Sequence, residues 1–189
     1  MVITMNKITD LALEYGFNSA VLTVSEISFD PQLRRYCEMN SCGCLRKNHM
    51  CPPLVGSPEQ IAARIKNFDE FILLQKVFPL EDSFDFEGMT SAQSGFWTDF
   101  IKLTEQVRIY YEDTMALGAG GCRICPRCAA EESLPCRFPD RAIPSLEACC
   151  INVSELASAA GLKYINGSNT VTYFGAILVR GNEREGIIR

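Results

Sequence analysis

The spacing of four cysteines in the second half of the chain restricts its fold more than any other feature. Cys122, Cys125 and Cys128 follow one another at steps of three, and Cys136 comes eight positions later. Thiolates at such steps are typical ligands of iron–sulfur clusters, because a curling loop can present each sulfur to a different corner of a cubane. The glycine-rich stretch 118–121 suits such a loop, since glycine tolerates positive φ and close backbone approach. The pattern predicts that this loop binds a 4Fe-4S cluster.

We call these four cysteines the second cysteine group. Zinc is the alternative metal that they could bind. Structural zinc also accepts four thiolates, but its sites are more often built from two separated C-x2-C pairs than from a run of three. Cysteines that serve only as small core side chains would leave the regular spacing unexplained. The spacing therefore favours iron–sulfur over zinc ligation.

A first cysteine group lies earlier in the chain, within residues 37–51 and just before Pro52 and Pro53. Its members are Cys37, Cys42, Cys44 and Cys51. The chain has ten cysteines and no apparent export signal, so disulfides are not expected, because the cytosol keeps thiols reduced. Metal or redox chemistry accounts for them better. Cys149 and Cys150 lie outside both groups and are expected to be packing residues.

Composition excludes several classes of partner. The net charge of −5 and the pI near 5.0 argue against nucleic acid and anionic membranes, because both attract basic surfaces. The first seventeen residues carry Asp10 and Glu14 and no long apolar run, so we expect neither a signal peptide nor a membrane span. The expected location is cytoplasmic. Residues 1–180 are expected to form one domain, with 181–189 as a C-terminal tail.

Hydrophobic periodicity and capping residues predict the order of the elements. The predicted helices cover residues 5–15, 31–36, 57–67, 91–117 and 152–160, and the predicted strands cover 20–24, 71–78 and 170–179. Helix 91–117 is expected to run directly into the glycine-rich stretch and so to position Cys122. This order predicts an α/β (α+β) single-domain sandwich with a small mixed sheet, in which two cysteine-rich cluster-binding loops meet at one end.

Four linked motifs carry a family resemblance. They are Cys37-x4-Cys42-x8-Cys51-Pro-Pro, Cys122-Arg-x-Cys125-x2-Cys128, Pro135-Cys136-Arg137-x-Pro139 and Arg141-x-x-Pro144-Ser145-x-Glu147-Ala148. In this order they resemble an uncharacterised, cysteine-rich "predicted metal-binding protein" family of anaerobic bacteria and archaea. The resemblance implies metal or iron–sulfur binding at Cys37, Cys42, Cys51, Cys122, Cys125, Cys128 and Cys136. Cys44 is not part of the family's pattern.

These seven thiols can be divided in more than one way. Four thiolates close a cubane and suit electron transfer, whereas three leave one iron free to bind a substrate as a Lewis acid. Cys44 could supply a fourth ligand to the first group. Alternatively, Cys51 could reach across to the second group, as the cysteine before a proline does in two-cluster ferredoxins.

Three functions follow from these divisions. The first is an iron–sulfur protein with one or two 4Fe-4S clusters and a redox or electron-transfer role, served by a redox partner protein or a small molecule. The second is an enzyme with an open cluster for sulfur transfer or dehydration. The third is a zinc-stabilised binding module.

Charged and titratable residues near the cysteines add secondary expectations. His49, the one histidine, could ligate iron or carry a proton, or could simply be an exposed loop residue. Four arginines could offset the charge of a cluster or bind an anionic substrate, with Glu147 as their expected ion-pair partner. These arginines are Arg123, Arg127, Arg137 and Arg141.

Overall fold

The computed structural model describes residues 7–181, which form one four-stranded antiparallel sheet with helices on both faces. The helices are α1 (Lys7–Glu14), α2 (Arg34–Glu38), α3 (Pro58–Ile65), α4 (Phe86–Tyr110) and α5 (Val153–Ala159). The strands are β1 (Asn18–Thr23), β2 (Glu70–Pro79), β3 (Asp113–Leu117) and β4 (Thr170–Arg180). Short 3-10 helices cover Val24–Glu26, Pro31–Leu33 and Ala129–Glu132.

The core lies on both faces of the sheet because the central strands are apolar on both sides. In β2, Phe71 and Leu73 pack on the face covered by α3 and α5, whereas Ile72 and Leu74 pack under α1 and α4. Successive strand residues point to opposite faces, so an unbroken apolar run of this kind requires cover on both sides. The predicted α+β sandwich is confirmed.

The sheet differs from the predicted mixed sheet in its strand directions. The strand order is β1-β2-β4-β3, and each neighbouring pair is antiparallel. β2 and β3 run in the same direction and are connected through α4, as in a parallel crossover. β4, however, lies between them and pairs with both. Strand periodicity does not encode direction or neighbours, so this insertion was not visible in the sequence.

The predicted helix over 91–117 was wrong at both ends. α4 begins at Phe86, five residues earlier than expected. Asp85 caps it by accepting a hydrogen bond from the Gly88 amide at 2.7 Å. The helix ends at Tyr110, and residues 113–117 form β3. Met115 and Leu117 pack on one face of the sheet and Ala116 on the other. A short apolar run fits both the helical and the strand period. Here pairing with β4 makes the segment a strand.

The caps of two other helices agree with the sequence. Ser57 and Gln60 form the predicted capping box of α3, and the Asn152 side chain accepts from two amides at the start of α5. Within residues 7–181, no helix is both long enough and apolar enough to cross a membrane. Most of the expected tail, residues 182–189, lies outside the described part of the chain, as do the first residues of the predicted opening helix.

Candidate metal centre

The sheet itself delivers the second cysteine group. The glycine-rich stretch begins where β3 ends, and there the Gly118 amide donates to the Pro144 carbonyl at 2.8 Å. The Trp97 indole N–H donates to the Ala119 carbonyl at 3.1 Å. A Cβ at Gly118 would lie 2.6 Å from the Trp97 ring, so only glycine fits there without a shift. The first ligand is thus positioned by a strand, not by the C-terminus of a long helix as predicted.

The four cysteines of the second group share one cavity. Its lining consists of Asn48, His49, Met50, Cys122, Ile124, Cys125, Cys128, Cys136, Phe138 and Ala142. Two sulfurs accept backbone hydrogen bonds: the Ile143 amide donates to Cys122 Sγ at 3.5 Å, and the His49 amide donates to Cys128 Sγ at 3.4 Å. Such N–H donors stabilise thiolates and tune the sulfur ligands of a metal.

Burial and hydrogen bonding oppose each other at Cys122. Burial raises the pKa of its thiol, because a charged thiolate loses hydration there. The amides of Ile143 and Ile124 lower the same pKa by donating to the sulfur. In the metal-free protein the thiol is therefore held protonated, and a metal must displace that proton.

The first cysteine group also comes together, and Cys44 belongs to it. Cys37 lies in α2, and the other three follow in residues 39–57, which form no helix or strand. Cys44 Sγ donates to the Cys42 carbonyl at 3.6 Å and also interacts with Cys51. Cys51 is buried, and this burial, reinforced by Cys44, Cys42 and Cys37, raises the pKa of its thiol to about 12. The sequence motif had left Cys44 outside this set.

The two groups adjoin each other, as the sequence predicted for the two loops. The Asn48 amide nitrogen donates to the Cys122 carbonyl at 3.1 Å, and the His49 ring nitrogen Nε2 lies 2.8 Å from the Leu134 carbonyl. A Cβ at Gly121 would lie 3.0 Å from Cys44 Sγ, so the backbone before Cys122 touches the first group. Cys51 interacts first with its own group and only weakly with Cys122.

Asn48 was missed by the sequence reasoning. It is buried, and besides bonding Cys122 its Oδ1 accepts from the Met50 amide at 2.9 Å. A single asparagine in a polar loop gives no local signal that it will bridge to a segment far along the chain. His49, by contrast, is only partly buried, and its backbone amide rather than its ring contacts a cysteine sulfur.

Arg34 provides a further observation at the first group. Its Nη2 donates to the Gly56 carbonyl at 3.0 Å, but Nε is buried without a hydrogen-bond partner in residues 7–181. Arg34 and Cys37 are three residues apart, so they share one face of the helical turn. The guanidinium lowers the pKa of Cys37, although burial raises it more. A buried N–H without a partner, beside thiols, fits an anionic thiolate or sulfide acceptor.

Comparison with known proteins identifies the family. A family model described as "predicted metal-binding protein (DUF2284)" matches residues 20–179. The chain belongs to this family. The matched range contains both cysteine groups, and the resemblance found in the four motifs is confirmed. No curated protein matches the chain, and no solved structure does.

Two of the four arginines of this DUF2284 protein form ion pairs, but not with the predicted partner. Arg127 pairs with Glu131 at 3.0 Å, and Arg141 pairs with Glu105 at 3.1 Å. No ion pair within residues 7–181 involves Glu147, so that expectation was wrong. Glu147 instead lies near Cys37 and is one of the groups that raise the pKa of its thiol, after burial as the main cause.

Cys149 and Cys150 are both fully buried, as expected of packing residues. Cys149 belongs to the core cluster under α3 and α5, and burial raises the pKa of its thiol to about 12. Cys150 has a φ of +63°, and its carbonyl accepts from the Asp30 amide at 2.8 Å. The pair therefore anchors the segment that precedes α2 and the first cysteine group.

The donor chemistry of this DUF2284 protein fits a cysteine-ligated cluster. Each group contributes four thiols, two sulfurs of the second group accept amide N–H bonds, and Arg34 offers a free N–H at the first. Across the described residues 7–181, no three His, Cys, Asp or Glu side chains converge on a point that would hold a single metal ion. The ten cysteines are all free thiols in the structure.

Proposed function

We propose that this protein binds 4Fe-4S clusters and transfers electrons, with Cys122, Cys125, Cys128 and Cys136 as ligands of one cluster. One observation carries the proposal: these four thiols line a single cavity, and amides donate to two of the sulfurs. A cluster bound there supplies reversible one-electron chemistry. The residues around it hold the thiolates, exclude water and set the electrostatic environment.

We propose further that the first group holds a second cluster with four thiolates. Cys44 interacts with both Cys42 and Cys51, so the set contains a fourth ligand although the family motif does not require one. Four protein ligands would leave no iron open to a substrate. This supports an electron-transfer role over the open-cluster enzyme.

The contact between the two groups supports electron transfer within the molecule. Asn48 donates to the Cys122 carbonyl, and a Cβ at Gly121 would lie 3.0 Å from Cys44 Sγ, so the two groups are in contact. Two clusters in adjoining sites would exchange electrons readily, so the protein could store or relay two. A redox partner protein or a small molecule would supply or accept them, and a cytoplasmic, anaerobic setting would suit ten free thiols.

The test is anaerobic purification followed by iron, sulfide and zinc analysis and EPR of the dithionite-reduced protein. We expect about eight irons and eight sulfides per chain for two cubanes, and EPR signals from reduced clusters. Cys128→Ala should lose at least the cluster of the second cysteine group, whereas Cys149→Ala, which removes a thiol outside both groups, should keep full iron. Stoichiometric zinc without iron or sulfide would overturn the proposal in favour of a zinc-stabilised module.

A further inference from the structure

An open pocket lies where the two cysteine groups adjoin, and residues of both cysteine loops line it. Among them are Cys44 and Lys47 from the first loop, and Arg123, Cys125, Arg127 and Glu131 from the second. Its volume is about 430 Å³. Pockets of this size commonly hold small organic or inorganic ligands.

The pocket is rich in cationic side chains although the protein is acidic overall, with a net charge of −5. Lys47 and Arg123 both line it, one from each cysteine loop, and among residues 7–181 neither forms an ion pair. The Arg123 guanidinium donates one hydrogen bond, from Nη2 to the Gln93 side-chain oxygen. Two cations that line one concave site attract an anion.

Carboxylates partly neutralise Arg127, the third cation of the pocket. Arg127 pairs with Glu131 at 3.0 Å and with Glu132 at 3.3 Å, so much of its charge is already compensated. The positive charge of the pocket therefore comes mainly from Lys47 and Arg123. Glu131 is the one acidic side chain in its lining.

We propose that this pocket binds a small anion that carries a carboxylate or an oxyanion group, held between Lys47 and Arg123. The planar fork of Arg123 suits two oxygens of one carboxylate or phosphate, and Lys47 adds a point charge from the other cysteine loop. The ligand lies beside Cys44 and Cys125, next to both cysteine groups. The role of this anion as a redox substrate rests on the proposed function, but its binding does not. A pocket that both cations line favours a small molecule over the flat surface of an acidic protein.

The experiment is calorimetric titration of the metal-loaded full chain with inorganic phosphate and, separately, with oxalate, at ionic strength held constant with sodium chloride. We expect saturable binding of one anion per chain. Lys47→Gln and Arg123→Gln should each weaken it about tenfold, since each removes a charge-assisted hydrogen bond. Glu131→Gln should strengthen it several-fold by releasing Arg127. Lys102→Gln, which removes an exposed lysine of α4 away from the pocket, is the matched control and should change nothing.

Each outcome bears on the proposal. Failure of both anions to bind saturably would overturn it, and so would equal effects of Lys47→Gln, Arg123→Gln and Lys102→Gln. Loss of saturable anion binding when a metal is loaded would also overturn it, because the pocket would then belong to the metal. Iron and sulfide are measured on every sample. Anion binding by a protein that never takes up iron would refute the cluster proposal and leave this one standing, whereas full iron without anion binding would do the reverse.

Discussion

The two cysteine groups differ in how firmly the fold holds them. The second group begins directly after β3, where Gly118 is bonded to the segment 144–146 on both its amide and its carbonyl, and Trp97 packs against it. The first group starts in the five-residue helix α2 and continues through residues 39–57 without a helix or strand. Cys42 within it is exposed.

The contacts between the groups imply that the first group depends on the second. In the first loop, the Asn48 side chain donates to the Cys122 carbonyl and the His49 amide donates to Cys128 Sγ. The sheet supports the second group, and the second group supports the first. The comparison teaches that damage to the second group should spread to the first, but not the reverse.

The largest expected effect comes from Cys122→Ala. It removes a ligand of the second group and the sulfur that accepts from Ile143, and it loosens the segment to which Asn48 is bonded. Because metal binding and folding are coupled, we expect loss of iron from both groups and a large fall in stability. Iron analysis and thermal unfolding measure this. Cys42→Ala, at the exposed edge of the first group, should remove iron from that group only, and equal losses in the two variants would break the asymmetry.

Cys44→Ala sharpens the description of the first group. We expect it to lower the iron content by about half, because Cys44 supplies the fourth thiolate there. Cys149→Ala is the matched control and should retain full iron. If Cys44→Ala keeps all of its iron, the first group is a three-thiolate site with an open iron, and the enzyme alternative regains support.

Glycine substitutions separate the fold from the metal site. Gly118→Ala forces a Cβ to within 2.6 Å of Trp97, and we expect a loss of about 2 kcal/mol in the free energy of unfolding of the metal-free protein. Gly121→Ala brings a Cβ to 3.0 Å from Cys44 Sγ, at the contact between the groups. It should cost less than about 1 kcal/mol in folding but should reduce iron at the first group. Urea unfolding and iron analysis of both variants check this; a larger folding loss for Gly121→Ala would contradict it.

The smallest expected effect is a loss of stability of the metal-free protein at alkaline pH. Burial raises the pKa of Cys51 and of Cys149 from 9.0 to about 12, so the folded state holds these protons more tightly than the unfolded state. Their contribution to stability is present below pH 9 and is lost as the pH rises from about 9 to about 12. Urea unfolding at pH 8 and pH 10 should show a decrease at the higher pH, by up to about 1.4 kcal/mol per pH unit for each thiol. Cys149→Ala should make the decrease smaller, and an unchanged pH dependence in that variant would be evidence against the raised pKa.

Local signals were read correctly where the physics is local. The capping box at Ser57 and Gln60 and the cap at Asn152 depend on side chains that bond within three residues, so the sequence contains all the information needed. The two runs of cysteines are local as well, and the metal-binding family that they indicated is confirmed. The prediction of a helix over 91–117 failed because Met115, Ala116 and Leu117 fit either the helical or the strand period. Their partner strand lies about sixty residues further on.

The sequence named candidate donors for the site but not the contacts that support them. Asn48 bonds to a segment far along the chain, and Glu147 lies near Cys37, so both positions depend on contacts between distant segments that nothing in their immediate neighbours indicates. Glu147 was expected at the second group and lies near the first. Charge and proximity in sequence suggested the pairing with the arginines, whereas the turn over 145–150 directs the side chain elsewhere.

The sequence by itself determined that the chain belongs to a metal-binding family and which thiols are its candidate donors, because cysteines and their spacing are properties of short segments. It also determined that the chain would form helices and strands in an α+β fold. Only the tertiary structure decided that Cys44 joins the other three thiols, that Asn48 bridges to Cys122 across 74 positions, and that a cationic pocket opens between the two groups. These features depend on β4 lying between β2 and β3 and on two loops meeting, and such long-range pairings gain their free energy only once the whole core is assembled.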